Sequence, residues 1–129
     1  MIKTGILNPQ ILSLLARVRH TNTLVIADRG FPFWPMIETV DISLIDDMPT
    51  TLQVLAALRS NFNIGHIYMA EEFIEVNTKD TIDRFSALTS QFPITYEPHI
   101  DFKLRIPNAI GLIRTGDTTQ YANMIIESA

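Results

Sequence analysis

The sequence predicts an α/β fold, as one three-layer α/β/α domain in which a mostly parallel, Rossmann-like sheet lies between two layers of helices. Two observations support this prediction: the alternation of two apolar patterns along the chain, and the length of the chain. Apolar runs of strand length alternate along the chain with segments whose apolar residues recur at helical spacing. Such alternation is typical of a parallel sheet, whose right-handed crossovers place helices on both faces. With 129 residues, the chain is expected to form a single domain over residues 1–129.

The first half of the chain predicts two helices and three strands. Asn8 as N-cap and Pro9 at the first helical position open an amphipathic helix that runs to Val18. The continuous apolar run at 23–27 predicts a strand buried on both faces. Two prolines make residues 31–36 irregular. The remaining elements of this half are a strand at 39–45, a helix at 50–62 and a strand at 66–72.

The second half continues the alternation. The segment 77–92 begins with a capping signal and has apolar residues at helical spacing, so it predicts a helix. Residues 94–99 follow as a strand with His99 at its exit, and 100–105 predict a short helical turn. The last elements are a strand and turn at 108–116 and a final strand at 121–128.

Composition indicates a globular protein without disulfides or thiolate ligands. Hydrophobic residues make up 47% of the chain, charged residues 19%, and there are no cysteines. The formal net charge of −4 gives no electrostatic basis for binding nucleic acid. No run of about 18 apolar residues predicts a membrane span, and the first residues lack the apolar core of a signal peptide. We therefore expect a cytoplasmic protein without nucleic-acid or membrane partners.

Titratable residues follow three of the predicted strands. Asp28, the pair Glu71 and Glu72, and His99 all stand at carboxyl ends. Ligands of open parallel sheets bind at that edge, so these residues predict a polar site. Neighbouring residues of a strand point to opposite faces, which makes the two glutamates a weak candidate for paired-carboxylate chemistry.

The known cofactor motifs are missing. No glycine-rich nucleotide motif follows a strand, and His20, His66 and His99 do not have the spacing of metal ligands. What the residues favour is acid–base chemistry on a small polar ligand, for which histidine is suited by its ordinary pKa of about 6.5.

Five segments of the sequence match one known family in order and spacing. They are GILN, RHTNTLVIADRGFP, AEEFIEVN, PHIDFK and IRTGDTTQYANMII. Together they resemble the D-ribose pyranase and L-fucose mutarotase family over nearly the whole chain. The resemblance implies a mutarotase without cofactor or metal that interconverts ring or anomeric forms of a free, ribose-like or fucose-like monosaccharide. It also implies a homo-oligomeric ring, typically a decamer, with sites at subunit boundaries.

The resemblance also implies the site residues. It makes His20 the catalytic proton donor. Ring opening needs a proton delivered to the ring oxygen and one removed from the anomeric hydroxyl, while other groups hold the remaining hydroxyls. The implied substrate-binding residues are Asp28, His99, Lys103, Tyr121 and Asn123.

The chain departs from the family pattern near these residues. Arg29 stands where relatives have a small residue, and Trp34 lies in an unusually aromatic loop, so both are candidates for substrate specificity. Asn22 replaces an aspartate two residues after His20. A non-catalytic sugar-binding or regulatory protein on the same ring-forming scaffold is therefore the alternative function.

The distance along the predicted strand constrains the site. If the chain is extended at ~3.3 Å per residue, His20 and Asp28 lie ~20–25 Å apart, which a monosaccharide cannot span. This favours a composite site built from two subunits. Purely structural roles stay open: a helix C-cap for His20, a turn cap with Gly30 for Asp28, and one strand face shared by Tyr121 and Asn123.

Overall fold

The computed structural model describes residues 1–129, with six strands, five α-helices and one 3-10 turn. The helices are α1 Pro9–Arg17, α2 Thr51–Arg59, α3 Glu72–Val76, α4 Lys79–Thr89 and α5 His99–Arg105, and the 3-10 turn Ile106–Asn108 continues α5. The strands are β1 Thr23–Ala27, β2 Glu38–Asp41, β3 Ile64–Ala70, β4 Ile94–Glu97, β5 Gly111–Arg114 and β6 Met124–Ser128. None of the helices has the length and apolar character needed to cross a bilayer.

The strands form one sheet in the order β2-β5-β1-β6-β3-β4. β5 pairs in parallel with β1 and β2, and β3 pairs in parallel with β4. β6 lies between β1 and β3 and runs antiparallel to both. The sheet is therefore mostly parallel, as predicted, and the start of β6 lies at the same edge as the carboxyl ends of the other strands.

The residues of β1 contribute alternately to two cores. Leu24 and Ile26 pack with α1, α2 and α4 on one face, while Val25 and Ala27 pack with α5 on the other. All four have no exposed surface. A strand covered on both faces has no polar positions, which explains its continuous apolar run. The predicted three-layer arrangement is confirmed, with a thinner layer on the α5 side.

Side-chain caps define where three helices start. The Asn8 Oδ1 accepts a hydrogen bond of 2.9 Å from the Ile11 amide at the start of α1. Thr50 and Gln53 form a capping box before α2. The Thr78 hydroxyl accepts the amide of the third residue of α4. These capping interactions explain why α1 and α4, the two helices predicted from capping signals, are present.

Three predicted strands extend too far at their carboxyl ends. The strand predicted at 94–99 ends at Glu97, because Pro98 and His99 begin α5. The strand predicted at 39–45 ends at Asp41, because the Asp41 carboxylate accepts the Ser43 amide at 2.9 Å and turns the chain. The strand predicted at 66–72 ends at Ala70, and the next residues enter the short helix α3, which was not predicted.

The final strand and the end of α1 also differ from expectation. The strand predicted at 121–128 starts only at Met124, because Tyr121 has a φ of 55°, in the left-handed region that strands exclude. Tyr121 and Asn123 therefore do not share a strand face. The C-cap of α1 is Val18, so His20 is not the cap residue.

Gly116 joins two loops beside this edge of the sheet. Its amide donates to the Pro49 carbonyl at 3.0 Å, and its carbonyl accepts the Asp47 amide at 2.7 Å. A Cβ atom at Gly116 would collide with the Ile45 carbonyl oxygen. Glycine is required here because the two backbones approach too closely for any side chain.

Candidate active site

Four of the predicted site residues meet at the carboxyl edge of the sheet. Asp28 follows β1, His99 begins α5 directly after β4, and Tyr121 and Asn123 lie just before β6. They line one open cavity of about 320 Å³, called here the site cavity. The antiparallel direction of β6 is what brings the last two residues to this edge. Phe31 and Gln120 also line the cavity.

Asp28 and Asn123 are held against each other. The Asp28 amide donates to the Asn123 Oδ1 at 2.7 Å, and Asn123 is 4% exposed. The Asp28 carboxylate accepts the Gly30 amide at 2.9 Å, so it also caps the turn. Burial raises the pKa of the Asp28 carboxyl above its ordinary value, while hydrogen bonds from Gly30 and Asn123 act in the opposite direction. The result is a fixed acceptor at the wall of the site cavity.

Arg114 supports the turn that carries Asp28. Its guanidinium donates to the carbonyls of Asp28 at 3.2 Å, Arg29 at 3.4 Å and Pro32 at 3.2 Å. Arg114 ends β5, directly beside the end of β1. No local pattern in the sequence indicated this role, because the contacts join residues far apart in the chain.

The His99 ring lies among aromatic side chains. Its centroid is 6.1 Å from that of Phe31, 5.9 Å from that of Phe102 and 5.0 Å from that of Tyr121, which it meets at 90°. The His99 Nε2 is buried and has no hydrogen-bond partner within the chain. A buried polar atom without a partner is costly, so this nitrogen is well suited to bind a ligand hydroxyl.

The charge state of His99 is set by its surroundings. Burial lowers the pKa of His99 below its ordinary value of 6.5, and the nearby Lys103 ammonium lowers it further. Glu72 and Asp28 act in the opposite direction. His99 is therefore neutral at pH 7 and offers one donor and one acceptor nitrogen.

Lys103 and Trp34 lie in a neighbouring space. A second cavity of about 450 Å³, called here the adjoining cavity, is lined by both, and Pro32 borders both cavities. The Trp34 Nε1 is buried without a partner. Phe33, Ile100 and Leu104 also line the adjoining cavity and are strongly exposed, at 69%, 71% and 72%.

Arg29 lines neither of these two cavities. Its guanidinium pairs with Asp46 at 2.5 Å, and both side chains are exposed. Its backbone amide donates to the Asp117 carbonyl at 3.0 Å. Its role in substrate specificity stays a prediction.

His20 is exposed and lies at the opposite edge of the sheet, in the turn before β1. The Thr21 amide in this turn donates to the Ser128 carbonyl at the end of β6. The Asn22 Oδ1 accepts the Arg19 amide at 2.9 Å. One protomer therefore does not bring His20 to the site cavity, since the whole length of β1 lies between them.

Glu72 is a site residue that sequence reasoning set aside. Both of its carboxylate oxygens lie 3.0 Å from the His99 amide. The sequence pattern that could have identified Glu72 is its pairing with Glu71. Both residues were predicted to end a strand, where neighbouring side chains point to opposite faces. No three His, Asp or Glu side chains are grouped so that they could hold a metal ion.

The fold is mostly parallel α/β, and a carboxylate, a neutral imidazole, a phenol and an amide surround one open cavity. This combination is typical of a protein that binds a small polar molecule and transfers protons to and from it. The chain belongs to the RbsD / FucU transport protein family, whose model matches residues 1–129. The D-ribose pyranase of Geobacillus kaustophilus is 39% identical over 128 residues, which cover 99% of this chain and 93% of that protein. The D-ribose pyranase of Halalkalibacterium halodurans is 40% identical over 129 residues, with 99% and 97% covered.

Solved structures agree with this assignment. Bacillus subtilis RbsD complexed with D-ribose has a TM-score of 0.91 at 33% identity, covering 100% of this chain and 98% of that one. The Streptococcus pneumoniae fucose mutarotase complexed with L-fucose has a TM-score of 0.79 at 19% identity, covering 95% and 92%, and supports the fold alone. The predicted family and fold are confirmed, and the names of the pyranase relatives confirm the predicted class of enzyme, an isomerase.

Proposed function

We propose that the protein is a cofactor-independent sugar mutarotase of the pyranase type, a single-domain subunit that acts on a free monosaccharide in the cytoplasm. The pyranase relatives, and the D-ribose held by the 33% identical RbsD, favour a ribose-like sugar. The observation that carries the proposal is the His99 side chain, which has a buried, unpartnered Nε2 and lines one cavity with Asp28, Tyr121 and Asn123. This set of donors and acceptors suits neutral hydroxyl groups.

The proposed chemistry is general acid–base catalysis. His20 delivers a proton to the ring oxygen, the bond between that oxygen and the anomeric carbon breaks, and the anomeric hydroxyl becomes a carbonyl as it loses its proton. His99 accepts that proton because it is neutral near pH 7. The carbonyl is then attacked by another hydroxyl, or by the same one on its other face. The attacking hydroxyl gives its proton to His20 and the carbonyl oxygen regains one from His99, which closes the new ring form and returns both histidines to their starting states. Asp28 and Asn123 hold the remaining hydroxyls, while Lys103 acts from the adjoining cavity.

The proposed site is composite. His20 lies at one edge of the sheet and the site cavity at the other, so His20 has to come from a second protomer. Contact between opposite edges of successive subunits is heterologous, and such contacts form a ring when the rotation between subunits closes. The exposed side chains of Phe33, Ile100 and Leu104 beside the cavity suit burial at a subunit boundary. This arrangement supports a homo-oligomeric ring, such as the decamer that the family resemblance implies.

Arg29 and Trp34 are the proposed specificity residues. The Trp34 Nε1 is a buried donor beside Lys103 in the adjoining cavity, so it can bind a polar group of the sugar. Arg29 reaches a substrate only if its exposed ion pair with Asp46 opens, and such pairs contribute little stability.

Sugar exchange measured by saturation-transfer NMR tests the proposed function. Ribose, fucose and a panel of other free sugars are incubated with the assembled protein, and we expect faster exchange between ring forms for at least one. The alternative, a non-catalytic sugar-binding protein, is favoured by Asn22, which leaves His20 without the neighbouring carboxylate of relatives. Saturable binding without faster exchange for any sugar would establish that alternative.

Replacing Lys103 by methionine is expected to move the acid limb of the pH profile. The substitution removes a charge that lowers the pKa of His99, so that pKa rises towards its ordinary value. Activity that needs neutral His99 is lost as the pH falls through its pKa. The acid limb of kcat/KM, measured from about pH 5 to 8, should therefore lie at higher pH than in the wild type.

Lys79→Met is the matched control for this prediction, because Lys79 is an exposed lysine at the start of α4. It removes the same charge without contact to His99. An acid limb at the same pH in both variants would show that Lys103 does not tune His99.

A further inference from the structure

The start of α5 has no cap of its own. The N-cap position is Pro98, which has no side-chain group to accept a hydrogen bond from the helix. The first helical residue, His99, instead donates its amide to Glu72, whose two carboxylate oxygens both lie at 3.0 Å. The cap of this helix therefore comes from α3, a different element of the chain.

Glu72 is itself held in place. The next residue, Phe73, is fully buried and packs against Phe85 of α4, with ring centroids 4.7 Å apart. The preceding residue, Glu71, donates its amide to the Glu97 carbonyl at the end of β4 at 2.8 Å. Glu72 is half-buried, whereas the side chain of Glu71 is exposed. The two adjacent glutamates therefore have different roles, and only one of them faces α5.

We propose that Glu72 is a positioning residue for His99, whose carboxylate fixes the first turn of α5 and so holds the imidazole in the site cavity. This inference rests on the proposed function, in which His99 handles the proton of the anomeric hydroxyl. His99 is the first residue of a seven-residue helix, so its orientation depends directly on where that helix starts. A shift of about 1 Å in a positioned group can cost about 100-fold in rate.

The charge of Glu72 acts on the same imidazole. Four titratable groups face His99: Lys103 from α5, Glu72 from α3, Asp28 from the turn after β1, and Tyr121 from the loop before β6. Burial and Lys103 lower the pKa of His99, and Glu72 is the larger of the two influences that raise it. Glu72 thereby keeps the pKa of His99 closer to neutrality than burial alone would allow.

Two isosteric variants test this role. Glu72→Gln keeps an oxygen acceptor for the His99 amide and removes the charge, while Glu71→Gln removes the same charge from the exposed neighbour. The pKa of His99 is read by NMR titration of labelled imidazole, and the pH profile of sugar exchange is measured in parallel. Glu72→Gln should lower the pKa of His99 and move the acid limb of kcat/KM to lower pH, and Glu71→Gln should change neither.

A third variant separates positioning from charge. Glu72→Ala also removes the acceptor, so we expect kcat at the pH optimum to fall about tenfold or more, whereas Glu72→Gln retains most of it. If Glu72→Ala fails to fold, Glu72→Asp takes its place, because it keeps the charge and draws the carboxylate back from the His99 amide. Imidazole NMR signals of His99 that are the same in Glu72→Ala as in Glu72→Gln, or the same in Glu72→Asp as in the wild type, would overturn the proposal. Because the NMR titration needs no turnover, it gives this answer even if the wild type exchanges no sugar, a result that would refute the proposed function instead.

Discussion

His20→Ala is expected to lower the rate of sugar exchange by about 10²–10⁴-fold, the usual effect of removing a positioned acid or base. Asp28→Asn is expected to be similarly impaired, because it removes the fixed carboxylate of the site cavity. Mixed assemblies of the two variants should regain activity. In a composite site, about one quarter of the boundaries in an equal mixture join an intact His20 to an intact Asp28.

The two variants are co-expressed with different tags and purified through both, and exchange is measured by saturation-transfer NMR. A mixture of His99→Ala with Asp28→Asn is the control, because both residues line the cavity of the same protomer. No subunit in that mixture has an intact cavity, so no recovery is expected. If the His20→Ala and Asp28→Asn mixture also shows no recovery, the composite site is wrong.

Asp117→Ala is expected to destabilise the protein by about 4 kcal/mol, because it leaves three buried or half-buried donors without an acceptor. Asp117 is 3% exposed and belongs to none of the ion pairs in the structure. Its carboxylate accepts the amide and hydroxyl of Thr51 and the amide of Thr119, each at 2.8 Å. It thus joins the first turn of α2 to the loop that carries Tyr121.

Urea unfolding followed by circular dichroism measures this loss. Asp46→Ala is the control, since Asp46 is an exposed aspartate whose single ion pair with Arg29 contributes little. Equal unfolding midpoints for the Asp117 and Asp46 variants would mean that the buried carboxylate is dispensable. A variant that does not accumulate in folded form supports the prediction.

The sheet and its carboxyl edge were predictable because they depend on local patterns. The unbroken apolar run of β1 requires two covered faces, and Asp28 and His99 then have to emerge at the same edge. Tyr121 and Asn123 came from the family resemblance, although their assignment to a strand was wrong. The short strand β2 was overextended because a single aspartate at its end turns the chain.

Contacts between residues distant in the chain could not be predicted. Arg114 supports the Asp28 turn although it lies 86 residues further along the chain, and Glu72 caps α5 although it lies 27 residues before His99. Neither side chain has a local pattern that identifies its partner. The position of Lys103 also needed the structure, in which it lines the adjoining cavity and not the site cavity.

The central place of β6 has a consequence for how the chain folds. β6 is the last strand to be synthesised, yet it joins β2, β5 and β1 on one side to β3 and β4 on the other. Until it is made, the sheet consists of two separate halves with open edges. Its pairing with β1 joins opposite ends of the sequence, a long-range contact of the kind that slows folding. Assembly of the sheet is therefore completed only once β6, the last of the six strands in chain order, has left the ribosome.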